Sequence, residues 1–572
     1  MIEDDFQLRV GRIRSRPSGG PRTFVGQALA AAERAGGLAH RATARTGAFG
    51  RGRAASLAAH RSAARSRGAV IKARVVRQGA GRAPLATHLN YLQREGVTQD
   101  GAAGRLFDAD TDAADARGFA KRCEGDRHHF RFIVSPDDAE QLSDLKAFTR
   151  DLMEQAQADL GTRLDWVAVD HWNTGHPHLH VIVRGRTDQG ADLVISPDYI
   201  REGLRARAGH LVTLELGPRT DAELRRRMDL QIGADRWTSL DRGFARLADE
   251  QGVVDLRRAD GARPDDLHQA RVARLRKLKG LGVADELSPG RWRLAPNAEA
   301  ALRELGQRQD VIARMHRALA DQGVERDPAR FVVDGGPPEG LIGRLAGRGL
   351  DDELRGSGYA VLEGLDGRTH HVRLADLDDA SDAPIGSLVE LRSREWEGRR
   401  SRLVLQVRSD LDLAEQVRAE GATWLDRQLV GRNPAALGEG GFADEVRAAL
   451  DARTNHLAEE GLAQRSGRRA VFARDLIETL RQRELATASR RLSGQTGLEA
   501  QAIGADGVVA GTYRQRVTLA SGRFAMIDNG LGFTLVPWRP DLERHLGRHV
   551  EGVLTPGAGV AWSFSAKRGL GR

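Results

Sequence analysis

One cysteine, Cys123, is all that the 572 residues contain. A lone thiol excludes an intramolecular disulfide framework and a thiolate metal cluster, and it suits a reducing cytoplasm. Long apolar runs are missing too, since no stretch reaches the roughly 18 consecutive apolar residues of a membrane-spanning helix. The first residues carry Glu3, Asp4 and Asp5 and then scattered arginines, without the apolar segment of a secretory signal. Neither a P-loop nor a helicase motif occurs. Tyrosine is scarce, with only Tyr91, Tyr199, Tyr359 and Tyr513, so chemistry that needs a phenol has few candidates.

Positive charge is in excess. The formal net charge is +9 and the isoelectric point about 10.2. That balance favours polyanionic partners, nucleic acid first among them. At this length three to four domains of about 100 to 200 residues are expected. Residues 1–67, rich in Arg, Gly, Ala and Ser, hold too little apolar surface to offset their ordering entropy. They read as a basic flexible arm, either a solvated leader or a phosphate contact.

Four of the seventeen histidines fall in His171-Trp-Asn-Thr-Gly-His-Pro-His-Leu-His180, which runs into Val181-Ile-Val183. A strand alternates its side chains, so His178 and His180 share a face. Leu164 to Asp170 reads as a second strand, and Asn173 to Gly175 supplies the turn of a hairpin. With His171 opposite His178, the imidazoles of His171, His178 and His180 lie on one face. Three nitrogens can hold one metal ion with positions left open, whereas a register slip of one residue would break the set.

Around this hairpin, residues 68–215 read as one α/β sandwich with a largely antiparallel sheet and helices on one side. Ala69 to Val76 is a strand, Pro84 to Gly96 a helix with Leu85, Leu89 and Leu92 as its buried stripe, and His128 to Ser135 a strand closed by Pro136. Asp137 is expected to cap a helix carrying Leu142, Leu145, Phe148, Leu152 and Ala156, and a polar helix spans about Pro197 to Val212. Tyr91, on the first helix, is the candidate phenolic nucleophile and Tyr199 the runner-up, while Tyr359 and Tyr513 sit in strand patterns and read as core. Glu95, Asp170 and His176 are alternative bases for a phenol, whose ordinary pKa is about 10.

The remainder divides into a helical region (216–335), a small β-barrel-like unit (336–409), a second helical region (410–495) and a second β-rich unit (496–572). In the first of these, the helix from Asp265 to Lys279 and a hairpin tipped by Pro289 and Gly290 suit either a winged helix, with Arg271, Arg274, Arg276 and Lys277 near DNA, or a helical linker with a solvated face. The helix-then-barrel order occurs twice, without a residue-level repeat being apparent.

Leu89-Asn-Tyr-Leu-Gln-Arg-Glu-Gly96 together with His171 to Val183 resembles the conjugative relaxases, or mobilisation nucleases, of the histidine-hydrophobic-histidine endonuclease superfamily, in the branch that includes the T-DNA border nuclease. The resemblance covers roughly residues 68 to 215 and leaves a long C-terminal region of undefined role. It implies that Tyr91 is the nucleophile, that His171, His178 and His180 bind Mg²⁺ or Mn²⁺, and that Ser135 lies near the DNA backbone. The implied activity is nicking of one strand at an origin of transfer, with the protein left on the 5′ end to pilot the strand. Single-stranded DNA, accessory DNA-binding proteins and a type IV secretion coupling protein are the implied partners, and the donor cytoplasm the place. Relatives often have an acidic residue where this chain has Asn173, leaving Asp170 as a substitute or the role absent. A rolling-circle replication initiator shares the chemistry, but no second tyrosine stands one helical turn from Tyr91. A non-catalytic DNA-binding adaptor is the reading from another class.

Overall fold

The computed structural model describes residues 51, 65–77, 85–94, 97–172, 177–257, 266–333, 336, 338–352, 354–396, 400–467, 469–503, 507–555 and 559–564. By its internal contacts the chain divides into two compact units, Met1–Glu299 and Ala300–Arg572. The first unit is built on β1 (Ala69–Arg77), β2 (His128–Pro136), β3 (Trp166–His171) and β4 (His178–Arg184), in the order β1-β2-β4-β3 with every pair antiparallel.

Helices cover both faces of this sheet rather than one. On one face Phe130, Phe132, Val134, Trp166, Ala168, Leu179, Val181 and Val183 pack against α3 (Leu145–Leu160) and α4 (Leu204–Leu216). On the other, Val167, Val169 and Ile182 meet Leu89 and Leu92 of α1 (Leu85–Leu92) and Phe119 of α2 (Ala116–Arg122). The composition already contains the reason: Trp166-Val-Ala-Val169 and Val181-Ile-Val183 are continuous apolar runs, the pattern of strands buried on both sides.

Several local expectations are corrected. Asp144, not Asp137, caps α3, accepting from the amides of Lys146 at 2.8 Å and Ala147 at 3.2 Å. Asp137 instead receives the Gly68 amide and the guanidinium groups of Arg219 and Arg227. The helix expected near Pro197 begins as a π-turn, Tyr199–Gly203, and continues as α4, whose Leu204, Ala208, Leu211 and Val212 are buried rather than polar. Most of the basic arm lies outside the described residues, but parts of its course are docked. Arg51 reaches the carbonyls ending α3, Leu160 at 2.9 Å and Gly161 at 3.1 Å, and the buried Arg67 pairs with Asp138 and Glu223.

Beyond α4 the first unit holds α5 (Asp221–Gly233), α6 (Ser239–Leu247), β5 (Val253–Asp255), α7 (Asp266–Gly280) and the hairpin β6 (Ala284–Ser288) and β7 (Arg291–Leu294). The three strands form a sheet in the order β5-β7-β6. A long helix follows, α8 (Ala298–Ala320).

In the second unit Val311, Met315 and Leu319 of α8 pack on Ala346 and Val361. These belong to a six-stranded sheet ordered β13-β12-β9-β10-β11-β8: β8 (Phe331–Val332), β9 (Ile342–Asp352), β10 (Ser357–Gly364), β11 (Thr369–Leu374), β12 (Leu388–Trp396) and β13 (Arg400–Ser409). Next come α9 (Leu413–Arg418), α10 (Trp424–Val430), α11 (Phe442–Glu459), the hairpin β14 (Ala463–Ser466) and β15 (Arg469–Phe472), and α12 (Leu476–Thr496). A five-stranded sheet ends the unit in the order β18-β17-β16-β19-β20: β16 (Val508–Leu519), β17 (Gly522–Asp528), β18 (Phe533–Pro537), β19 (His549–Thr555) and β20 (Gly559–Ser563). Among the described residues neither strand order closes on itself, so open sheets stand where small barrels were expected. No helix among these residues is long and apolar enough to cross a membrane.

The stretch from α5 to β13 and the stretch from α9 to β20 repeat one order of elements and a few buried or turn residues, although no repeat was apparent in the sequence. Thr238-Ser-Leu-Asp-Arg242 and Thr423-Trp-Leu-Asp-Arg427 each open a helix with a capping box, the aspartate accepting the threonine amide at 2.7 Å in both. That aspartate also grips a fully buried arginine of the third helix, Arg274 in one copy and Arg453 in the other. Each arginine reaches three carbonyls spaced two residues apart, Ile232, Ala234 and Arg236, or Val417, Ala419 and Gly421. From it the spacing Arg-x₃-Leu-x₃-Gly-Val/Leu-Ala runs through Leu278 to Ala284 and through Leu457 to Ala463. Gly282 and Gly461 take left-handed φ of 73° and 74°, which frees the chain to turn from helix to hairpin. The sheets that follow share the order β13-β12-β9-β10-β11 and β20-β19-β16-β17-β18, each with a 3₁₀ turn between its third and fourth strands.

Candidate metal centre

β3 ends on His171 and β4 begins on His178, and the ladder sets these two directly opposite, with Val169 opposite His180. Opposed residues share a face and the side-chain period is two, so the three imidazoles converge. They are 0%, 6% and 4% exposed. One donor atom from each lies within 4.8 Å of the others, and the Nε2 atoms of His178 and His180 are 3.2 Å apart.

Helix α1 covers this face and fixes the third ring. His171 Nε2 lies 2.9 Å from the Leu92 carbonyl oxygen. A carbonyl only accepts, so this nitrogen carries the proton, and the ring in its neutral form would offer its lone pair on Nδ1. Backbone orientation of a ligating histidine through its other nitrogen is a recurring feature of metal sites. Three neutral imidazoles, with no carboxylate in the cluster among the described residues, would leave a bound divalent ion its full charge and open positions. The donor set therefore fits a divalent metal ion.

Tyr91 is the residue before Leu92, and it is half-buried against the cluster that includes Leu89, Leu92 and Val169. The Arg94 guanidinium stands over that ring at 4.3 Å. Ser135 shares the histidine face as well, because Ile133 pairs with His180 and Ser135 is two residues further along β2. Glu95, Asn173 and His176 lie outside the described residues.

Two candidates are not brought to the cluster. Asp170 alternates to the opposite face of β3, where it accepts the Trp172 indole N–H at 2.7 Å. Tyr199 is buried in the core on the α3 side, donating to Asp159 at 2.9 Å, and burial together with that carboxylate pushes its phenol well above the ordinary value. Such a phenol stays protonated and is out of reach. The sequence reading missed a basic strip: on the part of the histidine face contributed by β1 and β2, Lys72 is exposed, and Arg74 pairs across with Arg131. Cross-strand register assembles this strip, and only the alternation of Lys72 and Arg74 along β1 hinted at it.

A charged cleft of about 630 Å³ lined by Arg122, Arg150, Asp165 and Arg184 lies at the other end of β3 and β4. Its arginines are engaged by Asp165, Asp112 and Asp126, and the histidines take no part in it.

Fold and site together define a mixed α/β protein of several antiparallel sheets, with a three-histidine cluster on the hairpin of the first. Residues 271–402 and 392–571, just over half the chain, match the family described as "Protein of unknown function (DUF3363)", and the chain belongs to that family. The match begins within α7, runs through the duplicated region and does not include the histidine hairpin. No curated protein and no solved structure matches the chain.

Proposed function

We propose that the chain is a relaxase, a strand- and site-specific DNA transesterase that nicks single-stranded DNA at an origin of transfer. The observation that carries this reading is the β3–β4 register, which gathers His171, His178 and His180 under the helix that bears Tyr91. When bound, a divalent ion on the three imidazoles would supply positive charge to the non-bridging oxygens of a phosphodiester. The Tyr91 phenolic oxygen attacks phosphorus and the bond from phosphorus to the 3′ oxygen breaks. The 3′-hydroxyl leaves with one proton, and the 5′ phosphate remains on the tyrosine. Because the phosphotyrosine conserves the bond energy, the step reverses without a nucleotide. Lys72, Arg74, Arg131 and Ser135 offer a path for the DNA backbone.

On this reading the protein works in the donor cytoplasm with accessory DNA-binding proteins and a type IV secretion coupling protein, and it travels with the strand. The segment from α5 to β7 is then a winged helix. A rolling-circle initiator is less favoured, since Tyr199 stands on the far side of the sheet.

The test is covalent capture. The full chain is incubated with Mn²⁺ or Mg²⁺ and single-stranded oligonucleotides tiled across its element's transfer origin, beside Tyr91→Phe. A denaturation-resistant adduct that needs metal and vanishes in Tyr91→Phe is expected. Its absence on every tile, with DNA binding intact, would favour the non-catalytic adaptor.

A further inference from the structure

We infer that α7, flanked by the β6–β7 hairpin, docks in the major groove of double-stranded DNA, and that the equivalent helix α11 does not. This inference is independent of the nicking chemistry and concerns a different surface.

The α7 helix is held from behind. Arg274 is clamped by Asp241 and three carbonyls, Leu275 and Leu278 are buried, and the hairpin is tied alongside through the pairing of β7 with β5. Gln269 and Arg276 are exposed on the opposite side. They are seven residues apart, two turns and about 10.5 Å along the axis, which matches about three base-pair steps of about 3.4 Å each. Ala273 lies between them and adds no bulk to hold the helix off the bases. Glutamine and arginine are the side chains that pair bidentately with adenine and guanine edges in this groove. Lys279, in a loose 3.8 Å contact with Glu286, and Arg293 of β7 are also exposed and offer phosphate contacts.

Cations on a helix are commonly no more than a solvated face, and here the duplication supplies an internal control. Superposing Arg274 on Arg453 keeps the buried frame: Ala270 falls on Ala449 and Leu278 on Leu457, all buried. The outward positions change. Gln269 becomes Ala448, Arg276 becomes Asn455, Lys279 becomes Ala458, and Val272 and Gly280 become Asp451 and Glu459. A helix with the same frame thus forms without the cations, so folding does not account for them. Its own outward face carries Glu459, which phosphate would repel, and Asp451, which Arg465 of the adjoining hairpin already holds at 2.9 Å.

The test uses the full chain, a 20-base-pair duplex and a single strand of the same length, with affinity read by fluorescence anisotropy across a salt series. Arg276→Glu and Gln269→Glu should each weaken duplex binding at least fivefold and leave single-strand binding within twofold, and Asn455→Glu should leave both unchanged. Arg276→Glu should also lower the slope of log affinity against log salt by about one. The sites are exposed, and an unchanged thermal transition verifies folding, with Arg276→Lys restoring the salt slope. Smaller duplex losses in both variants, equal losses on the single strand, or an equal loss in Asn455→Glu would each overturn the inference. Tyr91→Phe should bind duplex normally, so failure of the nicking reading and failure of this one are distinguishable.

Discussion

His180 and His178 present their Nε2 atoms to each other at 3.2 Å, so replacing either removes a donor without disturbing the strand. His180→Ala should weaken Mn²⁺ binding by tenfold or more in isothermal titration, with the fold intact by circular dichroism. Unchanged Mn²⁺ affinity would mean that the cluster is only packing. Cys123 offers a second check at this scale. Burial pushes its thiol up to about 12, so iodoacetamide should leave the native chain unlabelled and modify one site once guanidinium unfolds it. Burial, with Arg131 beside it, pushes His129 in the other direction, down to about 3. A neutral buried imidazole contributes fully above the unfolded value of about 6.5. That contribution is lost as the pH falls from there towards 3, because the unfolded chain takes the proton first. His129→Gln should flatten that acid limb in urea titrations at successive pH values.

At the scale of elements, the two buried arginines anchor their helices. Arg274→Ala leaves Asp241 charged and buried, as Arg453→Ala leaves Asp426. Each should cost about 3–5 kcal/mol of the stability of its own helical segment, while the paired change Arg274→Met with Asp241→Leu should cost less than the sum of the two single changes. Segment-specific hydrogen exchange distinguishes the two outcomes. The same geometry explains a failed expectation. Arg274 reads as a surface cation because its neighbours Arg271, Arg276 and Lys277 are basic. Helical spacing turns it towards α6, where an aspartate and three carbonyls absorb its charge. Helix α1 carries the opposite lesson: Leu89 and Leu92 do form its buried stripe, but against the histidine face, and that contact ties Tyr91 to the cluster.

Within the second unit, Arg523 pairs with Asp410 and Asp382, and Arg516 with Asp382, so ion pairs join the six-stranded and five-stranded sheets. Asp382→Ala with Asp410→Ala should separate one calorimetric transition into two. A single unchanged transition would mean that the sheets are coupled by other contacts.

The histidine hairpin was legible in the sequence because its signals are local: histidines at i and i+2, a turn of Asn, Thr and Gly, and two apolar runs, while the pairing of β3 with β4 decided the register. The short helix that carries Tyr91 was legible for the same reason, from its stripe of leucines. Tertiary structure decided what depends on partners distant in the chain. It put helices on both faces of the sheet, sent Asp170 and Tyr199 away from the cluster, aligned Lys72, Arg74 and Arg131, and buried Arg274. It also decided the duplication, whose retained residues are few and scattered because only positions that fill a core, clamp a buried charge or turn left-handed are held, while solvent leaves the others free to differ.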